Sequence, residues 1–284
     1  MNARALVLPA FFGALFGLAV VAQHEAPRVR VAVPPAQAAA VFPEAPTLEW
    51  LSLGNRAVTA DLLWILGIQL YGEASETRFR EGISPLYPIY LDRLTALDPS
   101  FRYPFRFGVL TLPDGWYVEE AEALAERALE TDPADHQTPA NLAYGFFISL
   151  ALHEKSAEWF LRAAEVPGAP EGRYRRAAAQ FAAFGSDADR AEQIYLDLAE
   201  DCGREGREAG FNCERAEKGL QQVANMRFLE AAVREYQRRF GELPERLAQV
   251  VEVGLIPALP VDPLNLNYFL RPDGTVAVSR QPRD

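Results

Sequence analysis

Three prolines, Pro99, Pro133 and Pro167, stand at equal intervals of 34 residues. The first two occupy matching contexts, TALDPSF and LETDPAD, each at the end of a segment with helical apolar spacing. Proline cannot continue a helix, because it lacks the N–H and its ring collides with the preceding turn. At a regular interval it closes one helical unit before the next begins. A unit of this length holds two antiparallel helices and their turns, and such units bury their apolar faces by stacking on one another. Inner positions agree. Ala121 and Ala128 are small residues seven apart on one second helix. Leu142, Ala143 and Phe146 supply a large, a small and an aromatic side chain to the next first helix, with Ala157 and Ala163 on its partner.

On these residues the chain resembles the tetratricopeptide repeat family over about residues 50–203, in roughly four units. The match has departures. The second and third units lack the tryptophan usual near the start of the first helix. The third has a one-residue shift between its helices, and the fourth lacks the closing proline. The resemblance implies a mainly α fold, a tetratricopeptide-like α-solenoid of helical hairpins, and a function in binding other proteins.

Four regions are expected. Within residues 1–22, Ala5 to Ala22 is uncharged and almost wholly apolar, preceded by Arg4. As a helix its 18 residues would measure about 27 Å, near the thickness of a bilayer core. It reads as a retained membrane helix (a signal anchor) or a cleaved signal peptide. Residues 23–48 are rich in Pro and Ala with no periodic apolar face, the composition of a linker. The helical repeats occupy 49–203, where Ala57 to Tyr71 is strongly apolar but carries Asp61 and reads as a core helix. Residues 204–284 form a long helix and a small α+β cap.

That cap contains a helix to Phe240, a short helix over Pro244 to Val251, and two strands, Tyr268–Leu270 and Thr275–Ser279, joined by the turn Pro272-Asp273-Gly274. Its run of AxxxY, FG-x-LP, DP and NYF over residues 230–280 resembles the segment after the long helix of type II secretion pseudopilins. The resemblance implies a pseudopilin-like surface; the plainer alternative is a cap over the last helical face.

Chemistry leaves few marks. The net charge of −11 argues against a sequence-independent grip on nucleic acid. His24, His136 and His153 have no second histidine or carboxylate at ligand spacing, and Gly203, Gly206 and Gly210 lack the Lys-Ser/Thr of a phosphate loop. No metal site, cofactor or enzyme activity is expected. Asp262, Asn265 and Asn267 could offer oxygens to a calcium ion, but a turn is the simpler reading. Cys202 and Cys213, the two cysteines, flank a short Gly- and Arg-rich segment. In an oxidising compartment a disulfide there would close a loop of about 12 residues, contributing about 2–3 kcal/mol.

Stacked repeats present their first helices in a groove. Tyr103 and Arg106, Asn141 and Tyr144, and Arg173 and Arg176 are expected on that face. The ladder resembles the carboxylate-holding groove of some tetratricopeptide proteins, since guanidinium groups bind carboxylates bidentately. The expected function is a membrane-tethered scaffold or adaptor for protein partners in a secretion, pilus or transport assembly of the cell envelope. Its expected place is the inner membrane, facing the periplasm. A cytoplasm-facing adaptor and a hydrolase with a surface carboxylate site are the alternatives.

Overall fold

The computed structural model describes residues 43–76, 82–201 and 207–280, all within the compact unit Phe42–Asp284. The apolar stretch 5–22 and Cys202 lie outside the described residues. Among the described residues no helix is long and apolar enough to cross a membrane.

The unit is mainly helical. It opens with α1 (Ala45–Leu51), α2 (Arg56–Glu76) and α3 (Leu86–Leu97). Three hairpins follow: α4 (Arg102–Thr111) with α5 (Val118–Thr131), α6 (Gln137–Gly145) with α7 (His153–Glu165), and α8 (Glu171–Phe184) with α9 (Ala188–Glu200). A 3-10 turn (Leu112–Gly115) extends α4, and a π-helical turn (Phe146–Leu150) extends α6. The long α10 (Arg207–Phe240), the short α11 (Ala248–Glu252) and an antiparallel pair, β1 (Asn267–Leu270) and β2 (Val276–Ser279), complete it.

The backbone repeats more regularly than the side chains. Trp116, Ala151 and Ser186 adopt φ of 66°, 52° and 67°, at equal intervals of 35 residues. Each lies two residues before the second helix of its hairpin, where the chain must reverse in one left-handed step. The closing turns match too. Asp98 and Asp132 have φ of −132° and −134° with the same ψ of 88°, and each Oδ1 accepts the amide two residues on, Ser100 at 3.1 Å and Ala134 at 3.2 Å. Pro99 and Pro133 sit inside these turns, and Pro167 separates α7 from α8, as the spacing predicts.

Packing follows nearly the same interval, with contacts 33 to 36 residues apart. Gly145 brings α6 onto α4: a Cβ there would stand 2.9 Å from the Leu110 carbonyl oxygen. On the second helices, Arg127 of α5 pairs with Asp92 of α3, and Lys155 and Arg162 of α7 pair with Glu122 and Glu126 of α5. These pairs are half-exposed and contribute at most about 1 kcal/mol each. Cohesion comes from the apolar interior. Ala121, Leu142, Ala143, Phe146, Ala157 and Ala163 are fully buried, and small residues on the second helices let the first helices approach.

Two expectations need correction. The helix expected in the core, Ala57 to Tyr71, is α2, and only one of its faces is buried. Ala60 and Leu63 pack inward, while Val58, Leu62, Ile65 and Leu66 are exposed, as are Trp50 and Leu53. A helix apolar on every side buries only the side that meets a neighbour. The expected linker end at residue 48 falls inside α1, which Pro46 opens at a position where its missing N–H costs nothing.

The C-terminal residues close the array. Val276, Ala277 and Val278 of β2 are buried against α8 and α10, and the Val276 amide donates to Glu230 Oε1 at 3.1 Å. The predicted hairpin turn is present: Gly274, at φ 87°, donates to the Arg271 carbonyl, and the Arg271 amide donates to Thr275.

Candidate functional site

The first helices α4, α6 and α8 carry the six residues expected to bind a partner. Tyr103 projects from α4 and is 70% exposed. Arg106 does not project. Its guanidinium donates to both carboxylate oxygens of Asp135, at 2.8 and 3.4 Å, and Asp135 is buried in the turn before α6. Asn141 donates its amide to the Arg106 carbonyl at 3.2 Å, so it ties α6 to α4. Tyr144 is half-buried with its ring edge-on to Phe160 at 4.8 Å. Arg106, Asn141 and Tyr144 are thus engaged within the fold.

Neighbouring polar groups join the same face. The Tyr174 hydroxyl meets His136 Nδ1 at 2.9 Å. Burial raises the Tyr174 phenol above its ordinary range, and Tyr144 and Asp135 add to this against Arg173 and Arg106. Residues of α4, α6 and α8 are therefore within electrostatic reach of one another.

Arg173 and Arg176 open instead on a pocket of about 460 Å³ between α8 and α10. Arg215 of α10 and Arg280, just past β2, line it with them. Asn265 and Leu266 form its rim, on a loop held by Asp262. The Asp262 carboxylate accepts the Leu264 and Leu266 amides at 2.8 and 3.1 Å and the Gln222 amide at 2.6 Å. The Asp262–Asn267 run is thus a turn; its carboxylate is spent on the chain itself. Among the described residues no group of three His, Cys, Asp or Glu side chains could hold a metal ion.

At the pocket floor lies Tyr195 of α9, 2% exposed. Gly219 makes room for it: a Cβ there would stand 2.3 Å from the Tyr195 ring. Burial and the Asp262 carboxylate raise the Tyr195 phenol well above its ordinary value, against Arg215 and Arg176. It stays protonated and is a donor at neutral pH.

No family model, curated protein or solved structure matches this chain. Its function has to be read from its own geometry.

A second, larger cleft of about 1080 Å³ lies between the cap and the π-helical turn, with Phe147, Phe184 and Leu270 in its wall. Arg271 crosses its edge to donate to the Phe184 carbonyl at 2.9 Å. His153 lines this cleft, and His136 sits on the first-helix face.

Cys213 is disulfide-bonded, and Cys202, its expected partner, lies outside the described residues. Arg215, Arg280 and Tyr195 were not legible as site residues. Each is an isolated Arg or Tyr on an amphipathic segment, and only tertiary packing brings them to Arg173 and Arg176.

Proposed function

We propose that the chain is a membrane-tethered scaffold of the tetratricopeptide type that binds protein partners in a cell-envelope assembly. The observation that carries this reading is the backbone register of the three hairpins, whose left-handed residues Trp116, Ala151 and Ser186 recur every 35 residues. Regular hairpin stacking yields an extended surface suited to protein binding. The exposed apolar side chains Trp50, Leu53, Leu62 and Ile65 support it as well, since large apolar side chains left in solvent are suited to an interaction site.

The tether is the apolar stretch 5–22. The periplasmic face of the inner membrane is the favoured location, because the disulfide at Cys213 suits an oxidising compartment. The likeness of residues 230–280 to pseudopilins makes secretion, pilus or transport machinery the proposed class of assembly.

The test is crosslinking in the native cells, purification through a C-terminal tag and identification of the recovered proteins. Envelope-machine subunits should be recovered with the wild type and lost with Tyr103→Ala combined with Leu62→Ser, both at exposed side chains away from the arginine pocket. Arg106 is unsuited to this test, because its loss would strand Asp135. Recovery of nothing beyond the chain itself, or of subunits indifferent to both substitutions, would overturn the reading.

A further inference from the structure

We propose that the four-arginine pocket between α8 and α10 is a binding site for a phosphate monoester. This goes beyond the scaffold reading and holds or fails independently of it.

Among the described residues the pocket lining carries four arginines and no acid. Arg176 and Arg215 also have further partners, and the Asp262 carboxylate acts on Tyr195 from behind the lining. Arg173, Arg176, Arg215 and Arg280 converge from α8, α10 and the end of β2 in a chain whose net charge is −11. Excess negative charge elsewhere makes such a convergence a local exception, and a concave site focuses its field. Arg173 and Arg280 form no ion pair with any described residue. The floor supplies the second observation. Tyr195 is almost wholly buried, lines the pocket, and has no hydrogen-bond partner for its hydroxyl among the described residues. The hydroxyl itself is not sealed off: it opens on the pocket, where it can donate. An oxyanion seated among the arginines would accept that hydrogen bond.

A phosphate monoester suits this set better than a carboxylate does. It carries between one and two negative charges near pH 7 and three strong acceptor oxygens, whereas a carboxylate offers one charge and two oxygens. The pocket, about 460 Å³, exceeds the needs of a bare anion. Ala177, Leu264 and Leu266 give it an apolar wall for the organic part of the ester. The same headgroup chemistry belongs to a soluble phosphorylated metabolite and to a phosphatidic acid.

Calorimetric titration of the full chain in mild detergent tests the site. Glycerol 3-phosphate is expected to bind at least about tenfold more tightly than acetate. Combining Arg215→Gln with Arg280→Gln should weaken it by about tenfold or more, and Tyr195→Phe by about threefold to tenfold with an unchanged melting temperature. Short-chain phosphatidic acid binding more tightly than glycerol 3-phosphate assigns a lipid source; equal affinities assign a soluble one. Acetate binding as tightly as glycerol 3-phosphate, no heat with either phosphate ester at millimolar concentration, or affinities untouched by these substitutions would overturn the site. The Arg215 and Arg280 substitutions lie off the first-helix face around Tyr103. Partner recovery that survives them while phosphate binding is lost separates the two proposals.

Discussion

The Arg106 guanidinium on α4 and the Asp135 carboxylate at the entry to α6 meet at 2.8 Å across a separation of 29 residues. Asp135 also accepts from the Thr138 hydroxyl at 2.6 Å and from the Gln137 amide at 3.2 Å. One buried acid thereby joins two successive hairpins and takes up the first amide of α6.

Removing its partner should be costly. Arg106→Ala leaves the buried Asp135 charge uncompensated and is expected to destabilise the protein by about 3 kcal/mol. Urea unfolding at pH 7 checks the magnitude. A loss below about 0.5 kcal/mol would mean that the pair is not formed in solution.

The same pair sets an acid sensitivity. Burial pushes the Asp135 carboxyl up, but hydrogen bonds from Arg106, Thr138 and the Gln137 amide outweigh it, so its folded pKa lies below the ordinary carboxylate value. A depressed folded pKa contributes stability above the unfolded value of about 3.9, and that stability is lost as pH falls through the folded one. The urea midpoint should therefore fall progressively as pH drops below about 5, and Asp135→Asn should flatten this part of the profile.

The left-handed residues between paired helices should respond to glycine. Ala151 and Ser186 hold φ of 52° and 67°, a region unfavourable to a residue with a Cβ. Ala151→Gly and Ser186→Gly are each expected to raise stability by about 0.5–1 kcal/mol, or a few degrees in Tm. Differential scanning calorimetry measures this, and lower melting temperatures for both would contradict it.

Gly219 makes the opposite prediction. A methyl group there would stand 2.3 to 2.5 Å from three ring carbons of Tyr195. Gly219→Ala is expected to cost about 1–3 kcal/mol. Much of that cost should vanish when Tyr195→Ala is already present, since the two residues then no longer touch. A double-mutant cycle showing simple additivity would rule out the contact.

The disulfide at Cys213 can be read by chemistry. The oxidised protein should show no reactive thiol under denaturing conditions until reductant is added. Reduction should then lower its stability by about 2–3 kcal/mol if the bridge closes the short loop to Cys202. Two thiols reacting without reductant would defeat this prediction and remove the support it lends to an oxidising compartment.

The sequence alone determined the helical hairpins, their interval and the C-terminal β-hairpin. Proline spacing, apolar periodicity and the Pro272-Asp273-Gly274 turn act through local backbone chemistry, which a linear string carries. It did not determine which polar side chains are free. Arg106 and Asn141 look like surface residues by position, yet both are engaged within the fold, one by an acid 29 residues away and one by a backbone carbonyl. Nor did it disclose that α2 buries one face and exposes another, equally apolar one, because periodicity reports a helix but not the number of its neighbours. The arginine pocket was decided wholly by tertiary structure. Its side chains come from α8, α9, α10 and the end of β2, and charge convergence of this kind depends on distances through space that no spacing along the chain encodes.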